Sequence, residues 1–348
     1  MPKSLVRKSL QGYRPYVPGE QPPDGEGWVK LNTNEAPLPP SPRVLEAIKA
    51  AANESLRLYP SPTAEPARAA IAGKFGVDTA HVAVGNGGDE LIEMCFRAFV
   101  GAGETVAYPT PTYPLLEPLC RVHEAVASTH PTEHPSELPA SLGADGARLK
   151  FIVNPNSPTG ALFERAAVEA VVAASSGVVV IDEAYVDFAP YSCLPLLERY
   201  PNVLLLRTFS KSYALAGMRI GFALGPPELI EALDSVKDSY NVDRLAIVAA
   251  VAAVEDEAHH RRIVDEVVGN REMLSSALEG LGFEVVPSSS NFVFTRPPRP
   301  AHEVVEALRE RKILVRHYDR EPIAGWLRIT VGTRDQHEKL FSALKEIL

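Results

Sequence analysis

The sequence predicts an α/β fold, with a mostly parallel central sheet flanked by helices and a smaller α+β unit after it. Three observations predict this. Short apolar runs bounded by turn residues recur between His81 and Leu206, as expected of parallel strands buried on both faces. Helical periodicity fills the gaps between them. After about residue 244 the texture changes to a long helical stretch and then paired strands, the pattern of an α+β unit. At 348 residues the chain also exceeds the roughly 250–300 residues at which single cores stop growing, so two domains are expected.

Residues 1–40 are rich in proline and glycine (Tyr13-Arg14-Pro15-Tyr16-Val17-Pro18-Gly19) and read as an extended arm that packs with the smaller domain. Residues 41–244 form the expected large domain. Its strand candidates are His81–Val84, Thr105–Tyr108, Leu149–Val153, Val178–Ile181 and Val203–Leu206. Between them, Asp89–Phe99 puts Leu91, Ile92, Cys95, Phe96 and Phe99 on one helical face, and Ala166–Ala174 is a second helix. Residues 245–348 form the expected small domain. One long helix, roughly Arg244–Leu281, leads into Phe283–Val286, Asn291–Phe294, a helix around His302–Arg311, Ile313–Arg316 and Trp326–Val331.

A formal net charge of −9 argues against nucleic acid as the main partner, while leaving room for a locally basic site. Cys95, Cys120 and Cys193 are scattered, with no C-x-x-C pair, and read as buried reduced thiols. The histidines show no metal-ligand spacing, so no metal is expected. The adjacent His259 and His260 fall on different helix faces and read as surface residues. The start of the chain lacks an apolar signal region and no run approaches a membrane span of about 20 apolar residues, so a cytoplasmic protein is expected.

In an open α/β sheet, ligands bind outside the carboxyl ends of the strands. Each unusual polar cluster here follows a strand candidate. After Val203–Leu206 comes Arg207-Thr208-Phe209-Ser210-Lys211-Ser212-Tyr213, with Arg219 eight residues beyond the lysine. A lysine at the mouth of a buried strand can form an imine with an aldehyde, and hydroxyls and an arginine can hold a phosphate beside it. Together they describe a site for pyridoxal 5′-phosphate.

After Val178–Ile181 comes Asp182-Glu183-Ala184-Tyr185. A carboxylate at a buried strand end needs a cationic partner, either a protonated pyridine nitrogen or a structural salt bridge. After His81–Val84 comes Gly85-Asn86-Gly87-Gly88-Asp89-Glu90, which is either a phosphate-binding helix start or a plain strand–helix turn with Asp89 as N-cap. Asn154-Pro155-Asn156-Ser157-Pro158-Thr159-Gly160 is a rigid turn presenting amides and hydroxyls. Pro109-Thr110-Pro111-Thr112-Tyr113 presents an aromatic face, fit for a planar ring or for core packing. Arg316 and Arg328 follow apolar runs, where a guanidinium either forks onto an anion or snorkels to the surface.

Taken together these segments resemble the fold-type I pyridoxal-phosphate enzymes and, within them, the histidinol-phosphate aminotransferases. The resemblance covers nearly the whole chain. It also takes in Leu31-Asn32-Thr33-Asn34-Glu35-Ala36-Pro37, Tyr59-Pro60-Ser61-Pro62, Ala216–Arg219, Ser290-Asn291-Phe292 and Leu327-Arg328-Ile329-Thr330-Val331-Gly332-Thr333. It implies that Lys211 is the Schiff-base lysine and proton shuttle, that Asp182 pairs with the ring nitrogen and Tyr185 with the ring oxygen, and that Tyr113 stacks on the ring. Backbone groups of Gly88 and Asp89, with Thr208, Ser210 and Arg219, would hold the phosphate. Tyr59 would reach the cofactor phosphate of a neighbouring subunit, making a homodimer part of the site. Arg328 would grip substrate, with Arg316, Asn34 and Tyr13 assisting.

The chain departs from the family pattern at three places. Ser157 stands immediately before Pro-Thr-Gly where asparagine is usual, so Asn156 or Ser157 reaches the cofactor. Gly88 replaces a serine or alanine, and Leu116 replaces an aromatic. The implied activity is a ping-pong transamination between histidinol phosphate and 2-oxoglutarate. An aromatic amino-acid aminotransferase and a decarboxylase of threonine phosphate are the neighbouring alternatives on the same motifs. A regulator with a helix-turn-helix domain is disfavoured by the roughly 40 residues before the first α/β unit.

Overall fold

The computed structural model describes residues 5–13, 15, 17–23 and 26–348. Arg14 and Tyr16, part of the expected arm, lie outside the described residues. Two sheets organise the chain. Strand β1 (Val29–Leu31) joins the smaller sheet from the N-terminal side. The larger sheet comprises β2 (Val82–Gly85), β3 (Thr105–Thr110), β4 (Val126–Pro131), β5 (Leu149–Val153), β6 (Val178–Asp182), β7 (Val203–Thr208) and β8 (Gly221–Leu224). Its order is β2-β8-β7-β6-β5-β3-β4, and only β8 runs against the rest. The central strands are closed off on both faces: Phe151, Ile152, Val179, Val180, Leu204 and Leu205 are all buried. Even Lys150 is buried within β5, its ammonium donating to the Gly143 carbonyl (3.1 Å) and the Ser175 hydroxyl (2.9 Å).

Register brings the carboxyl ends together. Val153 pairs with Asp182, Asp182 with Leu206, Thr208 with Gly221, and Gly221 with Gly85. Each strand-end cluster read from the sequence therefore opens onto one edge of the sheet. The closeness of that edge requires glycine at 221, where a Cβ would meet the Arg207 carbonyl at 2.9 Å.

The smaller sheet has the order β1-β11-β12-β10-β9, with β9 (Glu284–Val286), β10 (Phe292–Arg296), β11 (Ile313–Tyr318) and β12 (Trp326–Thr330). β1 runs parallel to β11 and the other pairs are antiparallel. A second core forms against it from Ile263, Val267, Leu274, Val304, Leu308, Leu340 and Leu344 of three helices.

Several details differ from the sequence expectations. The long helix is two, Arg244–Glu255 and Glu257–Gly280, broken at Asp256, whose backbone leaves the helical region (φ −99°, ψ 65°) and whose carboxylate caps the second helix at His259 N–H. The first of the two contributes Ala246, Ile247, Ala249, Ala250 and Ala253 to the core of the larger sheet. By packing, the change of core therefore falls after residue 255 rather than at 244/245. The arm also divides. Arg7 and Arg121 tie its first part to the helix Leu116–Val122 of the larger unit, the Arg121 guanidinium donating to the carbonyls of Ser9 (2.7 Å) and Gln11 (2.8 Å). Further along, Glu20 pairs with Arg309 and Val17 accepts from Arg316, both on the smaller unit. The three cysteines are free and buried. Among the described residues no helix is long and apolar enough to cross a membrane.

Candidate active site

Lys211 lies three residues past β7, in a loop closed by Ala214 N–H donating to the Lys211 carbonyl (3.1 Å). Its ammonium donates to the main-chain carbonyl of Asn34 (3.1 Å) and sits 5.7 Å from the Tyr185 ring centroid. Burial pushes its pKa down to about 8, and the Arg328 guanidinium acts in the same direction. At pH 7–8 a sizeable fraction is therefore the neutral amine needed of a nucleophile or base.

Asp182 ends β6 and is buried. One carboxylate oxygen accepts from Ala184 N–H (2.9 Å), and no lysine or arginine among the described residues comes within ion-pair distance. Burial raises its pKa to about 7, with Asp89 and Glu183 adding to the rise. Burial thus favours the protonated acid, and a cationic partner beside it would restore the carboxylate. The salt-bridge role falls instead to the next residue: Glu183 is fully buried and accepts from Arg207 Nη2 (2.8 Å) and Nε (3.1 Å).

Tyr185 accepts from the side-chain amide of Asn34 (3.0 Å), and its ring meets Phe292 edge-on. Asn34 is itself pinned: its N–H donates to Thr330 Oγ1 (2.9 Å), its backbone is left-handed (φ 57°), and its carbonyl also accepts from Asn291 Nδ2 (3.0 Å). Asn34 thus joins the arm, β12 and the Lys211 amine. Asn156 spends its amide hydrogens on the Pro111 carbonyl (3.0 Å) and Thr159 Oγ1 (2.9 Å), while its Oδ1 is buried without a partner. Ser157 bears on the Tyr185 hydroxyl.

A second cluster flanks the lysine. The helix Gly88–Phe99 starts after Gly87 (φ 87°), so Asp89 lies within the first turn and is not its N-cap. The first-turn amides of such a helix attract anions. Arg219 reaches over them: its Nη2 lies 3.6 Å from Asp89 and its Nη1 donates to Ser210 Oγ (3.5 Å). Thr208 Oγ1 donates to Ser210 Oγ (2.9 Å), and the Tyr113 hydroxyl donates to Asp89 (2.9 Å). A Cβ on Gly87 would sit 2.7 Å from Arg219 Nη2, so glycine keeps this cradle open.

Arg328 is buried on β12, donates to the Asn32 carbonyl (3.2 Å), lies over the Phe292 ring, and leaves its Nε without a partner. Arg316 stands opposite it on β11 and donates to the Val17 carbonyl (2.9 Å). Tyr13, expected to assist at the site, and Tyr59, expected at a neighbouring subunit's site, both stand apart from Lys211. Tyr59 is exposed and stacks on Tyr240 at 4.4 Å, and Tyr13 lies under Arg121 on the larger unit. Asn291 and Thr330, which hold Asn34, were within quoted motifs but gave no local sign of that task. His260, expected at the surface, is mostly buried: its Nε2 donates to Asp187 (3.2 Å). Packing against the other unit buries the helix face that adjacency in sequence left undefined.

The model of the class I and II aminotransferases matches residues 26–344. A histidinol-phosphate aminotransferase of Acetobacter pasteurianus is 48% identical over 96% of this chain and 95% of its own length. One from Aromatoleum aromaticum is 47% identical over 97% of this chain and 98% of its own. The solved structure of a Sinorhizobium meliloti histidinol-phosphate aminotransferase, in complex with pyridoxal-5′-phosphate, superposes with a TM-score of 0.85. It is 29% identical and covers 91% of this chain and 90% of its own. Nearly full-length similarity to these proteins, on a fold that brings Lys211 and Asp182 to one sheet edge, places the protein: the chain belongs to the class I and II aminotransferase family.

Proposed function

We propose that this chain is a pyridoxal-phosphate-dependent aminotransferase that exchanges an amino group between histidinol phosphate and 2-oxoglutarate, yielding imidazole-acetol phosphate and glutamate, a step of histidine synthesis. The observation that carries the reading is the placement of Lys211 and Asp182 at the carboxyl edge of the larger sheet, with Arg328 of the smaller sheet near enough to act on the Lys211 amine, in a chain 41–48% identical to histidinol-phosphate aminotransferases.

The residues fit the cofactor. Asp182 lacks a cation and would hold a protonated ring nitrogen. The Gly88 and Asp89 amides, Thr208, Ser210 and Arg219 would hold the phosphate in the cradle that Gly87 keeps open. Tyr113 would cover the ring. Because Asn156 has used both amide hydrogens, Ser157 and Tyr185 are the better donors for the ring oxygen. When bound, the cofactor supplies an aldehyde and an electron-withdrawing ring that makes a substrate C–H acidic. The protein's part is to place and move one proton. Lys211 Nζ, about half of it neutral near pH 8, would take the proton from the substrate Cα and hand it to the former aldehyde carbon of the cofactor, and would carry one the opposite way in the second half-reaction. The Asn34 carbonyl, a neutral acceptor, holds the amine without fixing its charge. Arg328 and Arg316 would bind the anionic end of each substrate in turn, and Tyr13 and the arm would close around it.

The second subunit belongs to this reading. Tyr59 and Tyr240 are exposed beside Leu56 and Leu58, next to an apolar cavity of about 430 Å³ that Pro60, Pro66, Ile247, Val248 and Val251 help to line. A homodimer would cover this face and let Tyr59 reach the partner's cofactor phosphate. A cytoplasmic location accords with a biosynthetic role.

The test is a screen of amino donors and acceptors on purified protein, comparing kcat/KM for histidinol phosphate, phenylalanine and threonine phosphate. Histidinol phosphate should lead, with one 2-oxoglutarate consumed per turnover. A preference for phenylalanine, or CO2 release, would assign one of the sister activities instead. Lys211→Ala should lose both turnover and the covalent imine that borohydride reduction fixes to the wild-type chain.

A further inference from the structure

Behind the site lies a buried to half-buried polar cluster that the reaction does not use. Its members alternate along the chain with the site residues: Glu183 follows Asp182, Asp187 is two residues past Tyr185, Arg207 precedes Thr208, and Ser212 follows Lys211. Glu183 accepts from Arg207, from the Ser192 hydroxyl (2.9 Å) and from Cys193 N–H (2.6 Å). Arg207 Nη1 lies 3.8 Å from Asp187. A single oxygen of Asp187 then accepts from both Ser212 Oγ (2.5 Å) and His260 Nε2 (3.2 Å). The His260 imidazole also stacks on the ring of Tyr213, with centroids 4.1 Å apart and planes at 16°. One residue of the helix Glu257–Gly280 thus grips the two residues that follow Lys211, one through a carboxylate and the other face to face.

We propose that His260 is a positioning residue for Lys211: through Asp187 and Ser212 it ties the lysine loop to the helix that begins the second core. The chemistry favours a link that orients rather than one that merely binds. Asp187 stays ionised, held down to about 2 chiefly by its hydrogen bond and charge contact with His260 and by Arg207, against the opposing cost of burial. A charge-assisted bond is directional and stronger than a neutral one. Ser212 Oγ has this single carboxylate as its acceptor, so the bond fixes the side chain next to Lys211. The helix in turn is anchored to the site from its other side, where Arg271 Nη1 donates to the carbonyls of Phe188 (3.1 Å) and Ser290 (3.0 Å). An amine that must meet both a cofactor aldehyde and a substrate Cα tolerates little displacement, since a misplacement of about 1 Å costs on the order of a hundredfold in rate.

The inference rests on Lys211 being the reactive amine, and its test separates the two claims. Cofactor-free protein is mixed with pyridoxal phosphate, and the rate at which visible absorbance appears reports the reactivity of Lys211 itself. His260→Gln keeps an N–H near the Nε2 position, and His260→Phe keeps the stack on Tyr213 without the donor. Ser212→Ala cuts the link from the other end. His260→Gln should react within about twofold of the wild type, whereas His260→Phe and Ser212→Ala should slow by about tenfold or more. In steady state the same two should lower kcat with little change in KM. Wild-type rates in His260→Phe overturn the proposal, as does a Gln variant as slow as the Phe variant. If the His260 variants do not fold, Ser212→Ala decides alone, and a wild-type rate there overturns it. Failure of the Lys211 assignment would appear separately, as a covalent imine to the cofactor, fixed to the chain by borohydride reduction, that persists in Lys211→Ala.

Discussion

Arg316 and Arg328 are register partners on adjacent antiparallel strands, and neither has a carboxylate partner among the described residues. Like charges directly opposite across a sheet destabilise it. An anionic ligand turns that cost into affinity, because two guanidinium forks converge on it. Arg328→Ala should raise KM for both amino donor and acceptor by about a hundredfold, roughly 2.7 kcal/mol of binding. Arg328→Lys should recover only part, since a point charge lacks the fork. Arg316→Ala should weaken substrate binding less, yet raise the melting temperature of the cofactor-free protein, because it relieves the repulsion. A lower melting temperature would contradict the account.

Lys211 is held down to about 8 by burial and by Arg328, below the roughly 10.4 of a free lysine. The neutral amine is the nucleophile. The rate of absorbance growth on mixing cofactor-free protein with pyridoxal phosphate should therefore rise with pH and level off above about 8. In Arg328→Ala the plateau should move to higher pH, because a like charge has been removed. Stopped-flow mixing across pH 6–10 tests both points.

Asp182 carries the opposite signature. Burial raises it to about 7, above the roughly 3.9 of an unfolded chain. Between those values the folded protein keeps a proton that the unfolded chain has released, so stability falls as pH rises from about 4 to about 7. Cofactor-free wild type should lose more stability across that window than Asp182→Asn, as measured by denaturant unfolding at several pH values. A pH dependence identical in the two proteins would remove Asp182 from the account.

Gly87 should resist substitution for two reasons acting together. Its φ of 87° strains any other residue, and a Cβ would press on Arg219 Nη2 at 2.7 Å. Gly87→Ala should fold with a loss of about 1 kcal/mol and bind pyridoxal phosphate about tenfold more weakly. Fluorescence titration of the cofactor-free variant checks this. Gly88→Ala, with open space around its Cβ and φ outside the left-handed region, should leave cofactor affinity nearly unchanged.

The parallel strands β5, β6 and β7 were legible because burial on both faces writes itself as an unbroken apolar run. The edge strand β4 was not, since its exposed and half-buried residues Val126–Pro131 carry no such run. β1 was hidden within the arm, because three residues gain strand form only by pairing with β11, more than 280 residues away. The break at Asp256 escaped because helical periodicity resumes immediately on the far side.

By itself the sequence determined the kinds of chemistry available and the edge on which they meet. A lysine, a carboxylate, glycine turns and a tyrosine each follow a parallel strand, and parallel strands deliver their carboxyl ends to one side. Only the tertiary structure decided which of two neighbouring acids, Asp182 or Glu183, is left without a cation, which carbonyl receives the Lys211 amine, and that His260 faces inward. Local pattern records whether a residue is buried, whereas partners up to about 300 positions apart are chosen by the packing of one core against the other.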